Sequence, residues 1–164
     1  MRFFRYSTVV VLLAFLCLAR NANAASDHAA SDKEKDRNAL EKTGEAIRAA
    51  FARGDVAAAM EYHHPDVVKA LAYHKQLNGR DAVAADLRAT LQQFNLEFVE
   101  NHVESLLIEG DTAVEQTLFA IKGTPKAGGE PFLFKGRTMV VYIRYEKSPT
   151  GWASLREMIQ PATD

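Results

Sequence analysis

Leu40, Gly44, Ile47 and Phe51 fall on one stripe of an α-helix, since residues three, four and seven apart return to the same face. Gly54 supplies the left-handed residue that ends such a helix, and Asp55 can cap the next. That second helix is short, residues 56–63, and stops before Pro65 because the residue preceding a proline avoids the α region. Residues 67–76 read as a strand, which Gly79 breaks. Val83, Leu87, Leu91 and Phe94 then mark one face of a third helix. Beyond it the pattern is that of strands. Residues 96–109 and 112–122 flank a Gly110-Asp111 hairpin turn, and a Gly- and Pro-containing loop at 123–131 leads to a strand at 132–146. A turn at 148–151 leads into a last strand at 152–160. Helices segregated from a strand meander predict an α+β domain, with a curved, mostly antiparallel sheet carrying three N-terminal helices on one face.

The first 24 residues follow a different pattern. Arg2 and Arg5 precede eleven apolar residues, Val9 to Ala19, and Ala22-Asn23-Ala24 presents small side chains to a signal peptidase. Eleven residues fall short of the roughly 20 that a bilayer-spanning helix needs. The expectation is a cleaved signal peptide at 1–24, a polar linker at 25–37 and one domain at 38–164. The linker has an alternative reading as the opening turns of the first helix. An exported protein, periplasmic or secreted, follows, with no membrane attachment after cleavage. Lipidation at Cys17 is disfavoured by the bulky Leu16 before it.

Cleavage also changes the composition. Cys17 is the only cysteine, so the mature chain has no disulfide, thiolate nucleophile or cysteine-bound metal. The whole chain carries 20 basic and 21 acidic side chains. Residues 1–24 remove Arg2, Arg5 and Arg20 and no acid, leaving 17 against 21, a balance near −4. No basic cluster interleaved with aromatics occurs, and nucleic acid is not an expected partner.

The runs Ala49-Ala50-Phe51-Ala52-Arg53-Gly54-Asp55-Val56 and His64-Pro65-Asp66-Val67-Val68 resemble the opening of the nuclear transport factor 2-like superfamily, in particular its SnoaL-like branch. Leu77-Asn78-Gly79-Arg80-Asp81-Ala82-Val83, Glu109-Gly110-Asp111-Thr112 and Gly151-Trp152 resemble later pieces of the same pattern, in order, over roughly residues 38–160. The resemblance implies a cone-shaped, cystatin-like sheet with helices closing over its concave face around an apolar cavity. It also implies dimers formed through the outer face of the sheet. It fixes no activity, because the fold hosts isomerases, dehydratases, cyclases, hydrolases and binders. Steroid-isomerase relatives place a tyrosine on the first helix and a carboxylate on the first strand. Here those positions match Ile47 and the Ala70-Leu71 neighbourhood, which can do neither job.

Other candidates for chemistry are few. Tyr62-His63-His64-Pro65-Asp66 groups two imidazoles and a carboxylate, but without the spacing of a metal motif, and no metal is expected. Pairing Lys147 with Trp152 across the 148–151 loop sets Glu157 opposite Tyr142, on a face shared with Ala153, Leu155 and Ile159. A carboxylate there is either hydrogen-bonded, paired with Arg144 or Arg156, exposed, or shifted in pKa. His102 shares a face with Phe98, Glu100, Leu106 and Ile108, opposite Phe119, and Arg137 is a candidate anion anchor. Phosphate-loop, nucleophile-elbow and His-Glu-x-x-His motifs are absent, and no cofactor is expected. Tyr142, Glu157, His102, Arg137 and Tyr62 are the candidate ligand-binding residues. The expected function is non-catalytic binding of a small apolar or amphipathic molecule; the alternative is a cofactor-free isomerase or dehydratase working by proton transfer.

Overall fold

The computed structural model describes the backbone of residues 7–162 and the side chains of residues 30–162. Arg2 and Arg5 lie outside the described residues, as do the side chains of the apolar stretch and of Ala22 and Ala24. Helix α1 (Ser7–Arg53) includes residues 25–37, so the segment read as a linker or as opening turns is helical. Contacts divide the chain into two compact units, Met1–Arg37 and Asn38–Asp164. Among the described residues no helix is long and apolar enough to cross a membrane.

In the second unit α1 ends at Gly54, whose φ of 71° is the left-handed conformation that glycine adopts without steric cost. Asp55 accepts the Ala58 N–H at 3.0 Å and caps α2 (Val56–Met60). Helix α2 stops at Met60, short of the expected end at residue 63, and His63 instead opens strand β1 (His63–Ala72), ahead of the expected start at residue 67. Pro65 is accommodated because β1 departs from its register with the last strand between His63 and Val68, where no ladder bond is asked of it. A turn at Tyr73-His74 separates β2 (Lys75–Asn78), so the single strand expected at 67–76 is two. Helix α3 (Arg80–Gln93) buries Val83, Leu87 and Leu91, but Phe94 already has extended backbone and opens β3 (Phe94–Glu109). The remaining strands are β4 (Thr112–Pro125), β5 (Phe132–Arg144) and β6 (Trp152–Pro161).

The six strands form one open sheet in the order β2-β1-β6-β5-β4-β3, antiparallel except for the parallel β1–β6 pair. The fold is α+β, with the helices N-terminal and packed against a curled mixed sheet. One core cluster joins Ala50 of α1 and Ala59 and Met60 of α2 to Val67, Val83, Leu87 and Leu91, with Phe51 half-buried against it. A second joins Leu40 to Ile108, Ala113, Val140, Tyr142 and Trp152. Burying a Leu or Val side chain contributes about 1.5–3 kcal/mol, so these two clusters tie both ends of the helical layer to the sheet.

Three of the bulges, two in β3 and one in β6, bear on which of the described residues face the helices. Val99 and Glu104 are each an extra residue in β3 against β4, and Leu155 is an extra residue in β6 against β5. Each displaces the alternation by one residue, so side chains beyond it exchange faces relative to a regular strand.

Candidate functional site

Between the helices and the sheet lies a cavity of about 430 Å³. Phe51, Phe94, Phe98, Phe119, Phe132 and Phe134 line it, and these are all of the phenylalanines beyond residue 24. Phe94 meets Phe132 edge-on at 5.2 Å, and Phe119 meets Phe134 at 5.5 Å, arrangements that suit the ring quadrupoles. The phenylalanine side chains of the domain therefore surround a space rather than fill one.

The other end of the cavity is polar, and the strand register shows why. Two adjacent rows cross the sheet. In the first, Tyr142 of β5 pairs with Ser154 of β6, which pairs with His63 of β1. In the second, Glu115 pairs with Val140, Val140 with Glu157, and Glu157 with Lys69. All of these side chains line the cavity.

Lys69 Nζ lies 2.5 Å from Glu157 Oε2, with 9% and 16% of the two side chains exposed. Thr138 Oγ1 donates to the other carboxylate oxygen at 3.4 Å. Glu157 is thus a paired carboxylate, held by a lysine on β1 rather than by Tyr142, Arg144 or Arg156. His63 is fully buried, and its Nδ1 lies 2.8 Å from the Ala59 carbonyl. A carbonyl only accepts, so Nδ1 carries the proton. Burial, and then the nearby Lys69 charge, lower the His63 pKa to about 3. The ring is neutral at physiological pH, leaving Nε2 as a bare acceptor, and neither Nε2 nor the buried Ser154 Oγ has a hydrogen-bond partner.

Glu115 has its pKa raised by burial, an effect that a 3.2 Å hydrogen bond from Thr117 and the Arg48 charge partly offset. Burial, reinforced by Glu115 and Glu157, raises the pKa of the Tyr142 hydroxyl well above the ordinary phenol value. Arg48 reaches the cavity from α1, and a 2.6 Å Lys75–Asp86 ion pair joins β2 to α3 at the wall.

Of the five expected ligand-binding residues, the structure brings Tyr142 and Glu157 to the cavity. They are not opposite each other. The loop before β6 runs over residues 145–151, Arg144 rather than Lys147 pairs with Trp152, and the Leu155 bulge shifts the rest, so Glu157 faces Val140 and Tyr142 faces Ser154. Leu155 accordingly leaves the face assigned to it, and Ser154 takes the inward place. His102 pairs with Leu118 rather than Phe119 and is exposed on the outer face, because the Val99 bulge reverses the alternation; Asn101 faces the cavity instead. Arg137 also lies outside, bound to Glu104 through Nε at 2.6 Å and Nη2 at 2.9 Å. This bidentate contact holds the Glu104 carboxyl down to about 2. Tyr62 precedes β1 and is not among the lining residues; its carbonyl accepts the Ser154 N–H at 2.9 Å. His64, beside His63, turns elsewhere: its Nδ1 accepts the Asp66 N–H at 3.1 Å and its ring meets Tyr145. Among the described residues no group of three or more His, Cys, Asp or Glu side chains is placed to hold a metal ion.

Lys69, Ser154, Glu115 and Arg48 are among the cavity residues absent from the sequence reading, and His63 appears there only beside His64, in a grouping weighed for metal rather than for a cavity. Lys69 alone carried a signal, since it interrupts the apolar inward positions Val67 and Leu71.

A family model described as SnoaL-like domain matches residues 45–147. Solved structures share the fold at low identity. A conserved protein from Planctomyces limnophilus superposes with a TM-score of 0.70 at 21% identity, covering 77% of this chain and 98% of its own. A ketosteroid isomerase-like protein from Erwinia carotovora atroseptica gives 0.66 at 16%, covering 77% and 96%. A nuclear transport factor 2 superfamily protein from Salmonella enterica gives 0.66 at 13%, covering 82% and 94%. No curated protein sequence matches the chain.

Proposed function

This chain belongs to the SnoaL-like domain family of the nuclear transport factor 2-like superfamily, and from that premise we propose that it is an exported protein that binds a small, mostly apolar molecule without transforming it. One observation carries the proposal: every phenylalanine beyond residue 24 lines a cavity of about 430 Å³. An unfilled apolar space forgoes dispersion contacts with its own walls. A volume of this order, mostly apolar with a few polar groups at one end, is that of small-molecule sites. The Lys69–Glu157 pair supports binding over turnover, because both oxygens of that carboxylate are already engaged. Export rests on the leader pattern at residues 1–24.

The outer face of the sheet supports pairing with a second copy, as Met139 and Met158 are opposite each other there, both exposed, with Leu107 also exposed. Sedimentation across a concentration series tests that association.

A second reading has its own observation. Glu115 is a carboxyl of raised pKa beside Tyr142 in an apolar cavity, which is how proton-transfer enzymes hold an acid or base. An isomerase or dehydratase of this kind needs no cofactor. Thermal-shift screening of apolar metabolites, with mass analysis of each hit after incubation, separates the two. Stabilisation without product supports the binding domain; a product lost in Glu115→Gln supports the enzyme. Absence of any stabilising compound would remove both.

A further inference from the structure

The cavity's polar end asks for a particular kind of group. His63 and Ser154 are direct neighbours across the β1–β6 pair, both fully or nearly fully buried, and both line the cavity. His63 Nε2 has no donor and Ser154 Oγ has no partner of either kind. Leaving such atoms unpaired is unfavourable, and neither satisfies the other. The imidazole tautomer is fixed by the Ala59 carbonyl, so Nε2 can only accept. A hydroxyl side chain both donates and accepts.

We infer that the bound molecule carries a neutral hydroxyl on an aromatic or fused-ring body, the hydroxyl donating to His63 Nε2 and accepting from Ser154 Oγ. This rests on the binding function proposed above and adds the chemical class of its ligand. A single oxygen that donates and accepts answers two groups that sit side by side. An ether or ketone offers His63 no proton, and a carboxylate brings a second bare acceptor to it. A protonated amine can donate to both groups, but it enters as a second cation beside the Lys69 ammonium. Glu157 already neutralises Lys69, so the site requires no net charge from its ligand. The hydrocarbon body then extends toward Phe94, Phe119, Phe132 and Phe134, where ring faces and edges are available.

Binding of 9-phenanthrol, phenanthrene, 9-methoxyphenanthrene and phenanthrene-9-carboxylate to the purified full-length protein, followed at pH 7 by ligand fluorescence, tests the inference. 9-Phenanthrol is expected to bind at least about tenfold more tightly than the other three, the scale of one or two buried hydrogen bonds. In Ser154→Ala and in His63→Asn, the ratio of phenanthrol to phenanthrene affinity is expected to fall toward one. Asparagine keeps a donor for the Ala59 carbonyl while removing the Nε2 acceptor, and Ser154→Ala carries the test if that variant does not fold. Equal affinity for the phenol, the ether and the hydrocarbon would overturn the hydroxyl assignment and leave the binding function standing. Tightest binding of the carboxylate would overturn it in favour of an anion held by Lys69. No binding of any of the four would overturn both readings.

Discussion

Lys69 and Glu157 face each other across the parallel β1–β6 pair, ammonium to carboxylate at 2.5 Å, with only 9% and 16% of their side chains exposed. Two charges withdrawn this far from water depend on each other. The desolvation cost of each is offset by the other and is left uncompensated when one is removed.

Lys69→Met is therefore expected to destabilise the protein by about 3–5 kcal/mol, whereas Lys69→Met with Glu157→Leu should regain most of that loss. Equilibrium unfolding in urea of the two single variants and the double variant measures the coupling. Additive losses would show that the two side chains do not depend on each other.

His63 makes stability depend on pH in a defined direction. Its pKa is about 3 when folded and near 6.5 when unfolded, so between these values the unfolded chain binds the extra proton. The contribution is complete above about pH 6.5 and falls by about 1.4 kcal/mol for each unit of acidification toward pH 3. Unfolding at pH 7, 6 and 5 is expected to show this slope in the wild type and a shallower one in His63→Asn. Parallel slopes in the two proteins would assign the acid sensitivity to other groups.

Two glycines are predicted to respond differently to alanine. A Cβ at Gly136 would stand 2.6 Å from the Gln160 carbonyl oxygen and 3.2 Å from the Phe119 ring. Backbone on β6 cannot move aside cheaply, so Gly136→Ala should cost about 1–3 kcal/mol. At Gly123 the obstacle is the ring end of Phe132, an exposed and movable side chain. Gly123→Ala should stay within about 1 kcal/mol of wild type while shifting Phe132 at the cavity wall and altering ligand affinity. Paired thermal melts and phenanthrene titrations distinguish the two effects.

Intact-mass measurement of protein recovered from the exporting host is expected to give a chain beginning at Ala25. A mass that retains Cys17, or that carries an acyl adduct, would contradict the leader assignment.

The local conformational signals in the sequence proved strong. Gly54 and Asp55 end one helix and cap the next because left-handed backbone and a side-chain acceptor are needed where they stand. Val83, Leu87 and Leu91 recur at helical spacing and are buried. Phe94 continues that spacing, yet it belongs to a strand, because periodicity does not mark where a helix stops. The site was less legible. Tyr142 and Glu157 could be placed on one face by alternation, but their partners depended on the 145–151 loop and on an extra residue at Leu155, neither of which leaves a mark in hydrophobic pattern. His102 was lost to the same cause at Val99. Lys69 and His63 belong to the site through a parallel pairing between the first and last strands, a contact between residues nearly a hundred positions apart that no local pattern encodes.

The extra residue at Leu155 also governs the electrical character of the cavity. Counting two by two from Ser154 brings Arg156 inward; the interruption sends its guanidinium outward, to the Asp66 carbonyl at 3.0 Å, and turns Glu157 in to meet Lys69. In uninterrupted alternation the lysine would confront a second cation, and the chamber would suit anions. One backbone irregularity, involving no charged atom of its own, thus separates a cavity with a neutralised lysine from a cationic one. Among proteins of this architecture, ligand polarity can consequently diverge through the position of a bulge while every ionisable residue stays the same.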